Sequence, residues 1–424
     1  MEGEWKRISL REAGVTLIDC DHRTPPAADS GYPYVAIPQL KEGRLALAGV
    51  RRISPEHFVE WTRKAKPQHH DVILSRRCNP GETAYVPASL DCALGQNLVL
   101  LRADGSKLYP PFLRWLVRGP HWWEQVGTFI NVGAVFDSLK CADIPNFKMA
   151  LPPLAEQKAI AQILGALDDK IELNRRMNAT LEAMAWALFQ SWFVDFDPVR
   201  AKLDGRQPAG LDAVTAALLP EHFEETVLGH TPQGWEVRNL DKIAHYLNGL
   251  ALQKFPPGKG LTLPVIKIAQ LRKGDSGGAD RCNTNLPPDY VVQDGDVLFS
   301  WSGSLEVELW CGGPGALNQH LFKVTSYEFP KWFYYLWTLY HLDEFRHIAA
   351  GKATTMGHIQ RGHLTAAKVL VPPPDLLKVM TRIMAPLIEQ IIANRTQSSI
   401  LAILRDTLLP KLLSGEITTT GRIQ

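Results

Sequence analysis

Two matched sets of side chains in this 424-residue chain have the chemistry to read a nucleic acid. Arg76, Arg77 and Asn79 follow the apolar run DVILS at 71–75, and Trp301, Ser302 and Ser304 follow its counterpart DVLFS at 296–300. Gln96 and Asn97, within ALGQNLVLLR, correspond to Asn318, Gln319 and His320 within ALNQHLFKVT. Gln39 and Lys41, within YVAIPQLKEG, correspond to Gln270 and Arg272 within VIKIAQLRKG. A carboxamide places a donor beside an acceptor and can pair at two points with adenine; a guanidinium can do the same with guanine. The segment GKATTMGHIQRGH at 351–363 adds Lys352, His358 and Arg361, suited to phosphates and base edges. Each of these residues taken alone also suits a solvated loop or a strand end. Their recurrence at matching places is what favours a reading role.

Side-chain sets for other chemistry are missing or misplaced. The chain has no GxxxxGK(S/T) phosphate loop, no GxGxxG fingerprint and no GxSxG nucleophile elbow. It lacks the Asn-Pro-Pro-aromatic tetrad that amino-methyltransferases carry; Asn79-Pro80-Gly81 is only a turn. Asp143 with Glu156 and Lys158 matches a minimal nuclease pattern. That chemistry needs Glu and Lys on a strand, whereas AEQKAIAQILGAL is strongly helix-forming and points them apart. Six cysteines, at 20, 78, 92, 141, 282 and 311, form no CxxC and no zinc spacing, so no metal site is expected and the thiols suit a reducing compartment. The N-terminus has no signal region and no apolar run reaches the ~18 residues of a membrane helix, so a cytoplasmic chain without membrane contact is expected.

The elements that must position these residues follow from an internal repeat. Five matches recur in the same order, beginning with Trp5 and its counterpart Trp235 and ending with LPPLAEQKAI at 151–160 and VPPPDLLKVM at 371–380. The organisation is two mixed α/β halves, each followed by a long helix: 1–150, helix 151–195, linker 196–230, 231–370, helix 371–414 and tail 415–424. Short β-rich runs are bounded by Gly, Pro, Asn and Asp, which predicts strands with long loops. Ile160, Leu164, Leu167, Ile171 and Leu181 recur at helical seam spacing, as do Met380, Met384, Leu387, Ile391 and Leu401. Both seams are interrupted by polar residues at the same depth, Asn174 and Asn178 in one and Asn394 and Ser398 in the other. Either polarity is tolerated there or it fixes register. Two apolar stripes on one chain most simply pack on each other, which predicts an antiparallel coiled coil with a pseudo-twofold axis. Pro386 should kink or break the second helix. Trp186, Phe189, Trp192, Phe193 and Phe196 exceed what one seam can cover, so a partner or the neighbouring half is expected to bury them.

Three segments carry a family resemblance. LPPLAEQKAIAQILGALDDKIELN at 151–174, LFQSWFVDFDPVRAKLDG at 188–205 and LLPKLLSGEI at 408–417 resemble conserved motifs of the specificity subunit of type I restriction–modification enzymes. The resemblance covers the whole chain in the family's order. It implies an α+β chain with two target recognition domains, separated by two long conserved helices, that reads the halves of a bipartite double-stranded DNA target. It further implies docking of two methyltransferase subunits and, through them, restriction subunits. Those partners would use S-adenosylmethionine, ATP and Mg2+, and this chain would hold no cofactor and perform no catalysis. A coiled-coil scaffold and a stand-alone DNA-acting enzyme are the competing readings.

Charge is distributed accordingly. The total of 46 basic and 44 acidic side chains resolves into net +3 for 1–150, −5 for 151–230, +2 for 231–370 and +2 for 371–424. Two mildly basic halves therefore flank an acidic helix and linker. That suits a subunit that borrows phosphate affinity from partners.

Overall fold

The computed structural model describes residues 5–133, 135–351 and 357–419. The chain divides into two compact units, Met1–Asp169 with Ala402–Gln424, and Lys170–Leu401. Each is built on the same plan.

In unit 1 four antiparallel strands stand in the order Val15–Asp19, Leu98–Ala103, Val72–Ser75, Thr83–Tyr85. Side chains alternate between the two faces of a strand, and here both faces are covered. Val72, Leu74, Val99 and Leu101 pack with Phe112, Leu113, Trp115 and Trp122 on one side. Ile73, Leu98 and Leu100 pack with Val35, Ala84 and Val86 on the other. Burial on both faces is why these strands read as unbroken apolar runs rather than as alternating ones. A smaller sheet pairs Tyr32–Val35 parallel to Ala93–Leu94, and Lys6–Ser9 pairs with Lys148–Leu151 to close the unit.

Unit 2 repeats this. Its sheet runs His245–Asn248, Leu321–Thr325, Val297–Ser300, Val307–Leu309. Thr262–Ile266 pairs parallel to Gly315–Leu317, and Glu236–Asn239 pairs with Lys368–Val371. The repeat extends to polar detail. Asp71 lies 2.6 Å from Arg102 in unit 1, and Asp296 lies 2.9 Å from Lys323 in unit 2. Each aspartate also accepts a backbone N–H three residues upstream, from Gln68 and from Gln293, both at 2.8 Å. A shared salt bridge and turn therefore hold the start of the central strand in both units.

The long helices span Leu154–Phe193 and Pro374–Ser414, 40 and 41 residues. At ~1.5 Å per residue each is about 60 Å long. The first begins where Gln157, fully buried, accepts the Tyr109 N–H and donates to the carbonyls of Lys107 and Pro152. The two helices are antiparallel. In unit 2 the Asn174 amide donates to the Asn394 carbonyl, to Gln397 Oε1 and to Ser398 Oγ. Farther along, Asn178 donates to the Ile391 carbonyl and accepts from Asn394 Nδ2. The polar interruptions thus meet one another across the seam, which supports register control over tolerated polarity.

Several expectations are corrected here. Ile160, Leu164, Ile171, Met380, Met384 and Ile391 are buried as seam residues, but Leu167, Leu181, Leu387 and Leu401 are only half-buried. Asp168, Ala185, Ile388 and Arg405 lie deeper. A strict heptad drifts around a helix of 3.6 residues per turn, and the buried line moves with it. Pro386 does not end the second helix. It lies on the exposed side, where a carbonyl that loses its donor can be hydrated.

Four of the five aromatics expected to face a partner are core residues of unit 2. Phe189, Trp192, Phe193 and Phe196 are buried, with Phe189 against Trp337, Phe193 against Trp235 and Phe333, and Phe196 against Phe223. Only Trp186 keeps substantial exposure, 36%. Most of the cover comes from Trp235, Phe333 and Trp337, and the segment 196–230, folded rather than a linker, adds Phe223. Helices Asp197–Leu203 and Ala213–Ala217 and the hairpin Phe223–Thr226/Gly229–Pro232 belong to unit 2, and Leu219 joins its core.

Candidate nucleic-acid interface

In unit 1 the candidate residues gather at one end of the sheet, because Ser75 and Leu98 are cross-strand partners at the ends of adjacent antiparallel strands. The buried Ser75 hydroxyl donates to the Arg77 carbonyl at 2.9 Å and fixes the turn. The Arg76 N–H donates to the Asn97 carbonyl, tying the two loops together at 2.9 Å. Cys78 and Asn97 both have φ of 67°, a region that non-glycine residues seldom enter. Arg77, Asn79 and Gln96 are exposed on this end, and Asn97 is half-buried. Arg76 is half-buried and aims its guanidinium at the Leu139 carbonyl, 3.4 Å away. Arg77 instead lies over the ring of Phe136, 5.8 Å from its centre.

Unit 2 builds the same frame and dresses it differently. Ser300 donates to the Ser304 carbonyl at 2.6 Å and accepts the Glu306 N–H at 2.7 Å. The Trp301 N–H donates to the His320 carbonyl, as Arg76 does to Asn97. Trp301 Nε1 donates to Asn248 Oδ1 at 2.9 Å and to the Gln319 carbonyl at 3.2 Å. The Ser302 hydroxyl lies 2.9 Å from His320 Nδ1, and Gln319 Nε2 lies 3.3 Å from His320 Nε2. Arg361 donates to the Tyr246 carbonyl at 3.2 Å, and its guanidinium is 5.7 Å from the Phe322 ring centre. Ser304 is exposed, while Trp301, Gln319, His320 and His358 are half-buried.

Not every candidate is placed to read. Asn318 and Ser302 are buried, and Asn318 Oδ1 accepts the His320 N–H, so both shape the loop. Gln39 and Gln270 spend their side-chain oxygens on the N–H groups of Ala36 and Lys267, capping equivalent helical turns. Lys41 is exposed beside the first of these turns, and Arg272 lies 3.9 Å from Glu306 beside the second. Lys352 lies outside the described residues.

A strand-like segment lies alongside the candidate loop in both units; the sequence pointed to it in unit 2, through His358 and Arg361, but not in unit 1. Ser138 bridges to Arg77 in unit 1, and His358 bridges to Ser302 in unit 2. Asn131 and Phe136 therefore belong to the unit 1 face. Asn248, Phe322 and Gln360 belong to the unit 2 face, where they help line a cavity of about 300 Å³ with Trp301, His358 and Arg361. The offset of 220 between the two long helices was the available signal, because it also carries Ser138 onto His358.

The nuclease-like set does not form a site. Glu156 accepts the Thr419 N–H and hydroxyl at 2.8 and 2.7 Å, and the Lys158 ammonium lies 5.8 Å from the Tyr109 ring centre. Asp19, Cys20 and His22 lie close enough to share an ion. Their geometry serves other ends: Cys20 Sγ donates to the Gly95 carbonyl at 3.2 Å, and His22 Nε2 lies 3.1 Å from Asp19. Burial pushes the Cys20 thiol up to about 11, away from the thiolate that binds metal.

Known proteins share this plan. The family model for the type I restriction modification DNA specificity domain matches residues 21–183 and again 232–401, one match per copy of the repeat. The type I restriction enzyme MjaIX specificity subunit of Methanocaldococcus jannaschii is 26% identical over 297 residues, covering 68% of this chain and 65% of that relative. The chain thus spans a little under two thirds of that protein. The HindI specificity subunit of Haemophilus influenzae is 25% identical over 412 residues, covering 81% of this chain and 86% of its own length. The crystal structure of a type I restriction-modification S subunit from M. genitalium has the same fold, with a TM-score of 0.54 at 14% identity over 97% of this chain and 96% of that one. With both copies of the repeat matched, the chain belongs to the type I restriction-modification DNA specificity family.

Proposed function

We propose that this chain is the sequence-reading subunit of a type I restriction–modification complex, and that each unit reads one half of a bipartite duplex target. The observation that carries this is the pairing of one frame with two sets of readers. Ser75 and Ser300, Asp71 and Asp296, and the loop-to-loop bonds of Arg76 and Trp301 are repeated. The residues on that frame differ: exposed Arg77 and Asn79 in one unit, exposed Ser304 with half-buried Gln319 and His320 in the other. A duplicated scaffold with divergent presented side chains is what reading two different half-sites requires. Arg77 suits guanine, and the amides of Asn79 and Gln96 suit adenine.

Catalysis is assigned to partners. Two methyltransferase subunits would supply S-adenosylmethionine chemistry, and restriction subunits would supply ATP-driven cleavage with Mg2+. Exposed apolar residues of the long helices are offered to them: Leu173, Met177, Met184, Trp186 and Ile400 in unit 2, and Ile403 and Leu404 in unit 1. No described helix is long and apolar enough to cross a membrane, and the cytoplasm, where the duplex lies, is the proposed location.

The test is the methylome of the native host beside a strain deleted for this gene. Loss of methyladenine at one bipartite motif is expected, with restoration by the gene on a plasmid. Unchanged methylation with the methyltransferase subunit still present would refute the reading. Binding of the assembled complex to that duplex should also weaken steeply with salt, as phosphate contacts require.

A further inference from the structure

The cavity at the sheet end of unit 2 has a composition that loop packing alone does not call for. Trp301, Phe322, His358 and Ile359 line it together with Asn248, Gln360 and Arg361; Phe322 is nearly fully buried, Trp301 and His358 are half-buried, and the last three are exposed. Trp301 is fixed in advance. Its Nε1 is bonded to Asn248 Oδ1 and the Gln319 carbonyl, and its ring lies 6.0 Å from Phe322 and, edge-on, 6.4 Å from His358. Arg361 is likewise held by the Tyr246 carbonyl, which keeps a positive charge at the mouth.

The repeat makes the cavity informative. The equivalents of Trp301, Phe322 and His358 in unit 1 are Arg76, Val99 and Ser138, and the equivalent of Arg361 is Cys141. The frame therefore does not need these rings; they belong to the second copy alone. An apolar lining that includes Trp301, Phe322 and His358 suits a planar heteroaromatic group, which presents faces for stacking. A phosphate alone would need no rings. The cationic mouth suits the phosphates that flank such a group.

We propose that this cavity receives one nucleobase turned out of the helical stack in the half-site that unit 2 reads, stacked against Trp301 with Arg361 beside its backbone. This rests on the reading of the chain as a specificity subunit. A base distinct from those that become methylated is meant, since methylated bases must enter the partner's active site.

The experiment uses the assembled methyltransferase complex and duplexes carrying its native site, with 2-aminopurine placed at one position at a time. Unstacking raises its fluorescence. One position in one half-site, outside the methylated adenines, is expected to brighten several-fold on binding. That signal should vanish in Trp301→Leu and persist in Trp301→Phe, which keeps a stacking ring. Co-purification of the variants with the methyltransferase subunit and an unchanged circular dichroism spectrum exclude misfolding. Brightening confined to the methylated adenines, or brightening that survives Trp301→Leu, would overturn the inference while leaving the specificity reading intact. A complex that binds no bipartite duplex would remove both.

Discussion

Asp168 should be among the residues on which unit 1 most depends for stability. Its carboxylate is 3% exposed and meets three guanidinium groups: Arg114, Arg44 at 2.7 Å and Arg405 at 2.6 Å. Arg114 comes from the recognition half, where its guanidinium also lies 4.2 Å from the Tyr85 ring centre, and Arg405 comes from the second long helix. Arg118 stands close by, and Asp406 is the other acid, 2.8 Å from Arg405 and 3.8 Å from Arg118. Four arginines against two aspartates leave no spare negative charge. Asp168→Asn preserves shape and removes the charge. Breaking a buried pair while its cations stay in place costs about 3–5 kcal/mol. For a domain of this size that corresponds to a fall in Tm of roughly 6–20 °C. Arg405→Met is the contrast. It leaves Asp168 with two partners and relieves crowding among the cations, so its cost should be no more than about 2 kcal/mol. The pH dependence follows the same logic. Burial pushes the Asp168 carboxyl up, but Arg114, Arg44 and Arg405 together hold it below its ordinary value. A lowered folded-state value means this stabilisation is complete above the unfolded value, about 3.9, and is lost as pH falls through the folded one. Thermal unfolding of wild type, Asp168→Asn and Arg405→Met between pH 3 and 7 reads both effects. An Asp168→Asn midpoint within about 2 °C of wild type at pH 7, or an Arg405→Met loss as large, would refute the reasoning.

Other expectations are simpler to state. Arg77→Ala should relax one base position in one half-site and leave the other half unchanged, at a cost of about 1–3 kcal/mol in discrimination, read from the methylation motif of a complemented strain. Asn394→Leu should destabilise unit 2 by about 1–3 kcal/mol because it strands the buried Asn178 amide, and adding Asn178→Leu should recover much of that loss in denaturant unfolding. Phe193→Ala should cost about 3–5 kcal/mol and reduce soluble yield, since the ring fills the unit 2 core. Trp186→Ala should leave unfolding within about 1 kcal/mol yet weaken co-purification with the methyltransferase subunit; full retention of the partner would remove Trp186 from that surface.

The parts of the fold visible in the sequence were those with periodicity. The repeat, both long helices and the central strands could be read because apolar spacing and recurring blocks survive divergence. What could not be read was set by tertiary context. Leu167 and Asp168 are neighbours in a helical pattern, and nothing local says that the charged one turns inward. That follows from Arg44, Arg114 and Arg405, distant in sequence, converging on it. The aromatics from Trp186 to Phe196 were correctly seen as too many for one seam, but their cover, including Trp235, Phe333 and Trp337, lies in the same unit. Among the candidate site residues, the loops that carry them could be placed from the sequence while side-chain direction could not. Asn318 and Gln319 are adjacent amides, and only the backbone turn decides that one faces inward and the other sits at the surface.

The two polar features of the helix pair answer different questions, and the repeat separates them. Advancing by the 220-residue offset carries Asn174 onto Asn394 and Asn178 onto Ser398. The contact of Asn174 with Ser398 and that of Asn178 with Asn394 are therefore exchanged by the duplication, and the layer is symmetric with respect to the two copies. Such a layer can fix the depth at which the helices meet, because sliding either one strands buried amides in an apolar seam. It cannot distinguish one copy from the other. Asp168 and Arg405 can. The same offset puts Ile388 at the aspartate's place and Ala185 at the arginine's, both buried and apolar. A pairing of the first helix with its own kind would set Asp168 opposite an alanine and leave it only Arg44 and Arg114; a pairing of the second would set Arg405 opposite an isoleucine and leave it only Asp406, so each loses the buried bond across the seam. The seam thus uses neutral amides where the two helices must agree and the buried Asp168–Arg405 contact where they must differ.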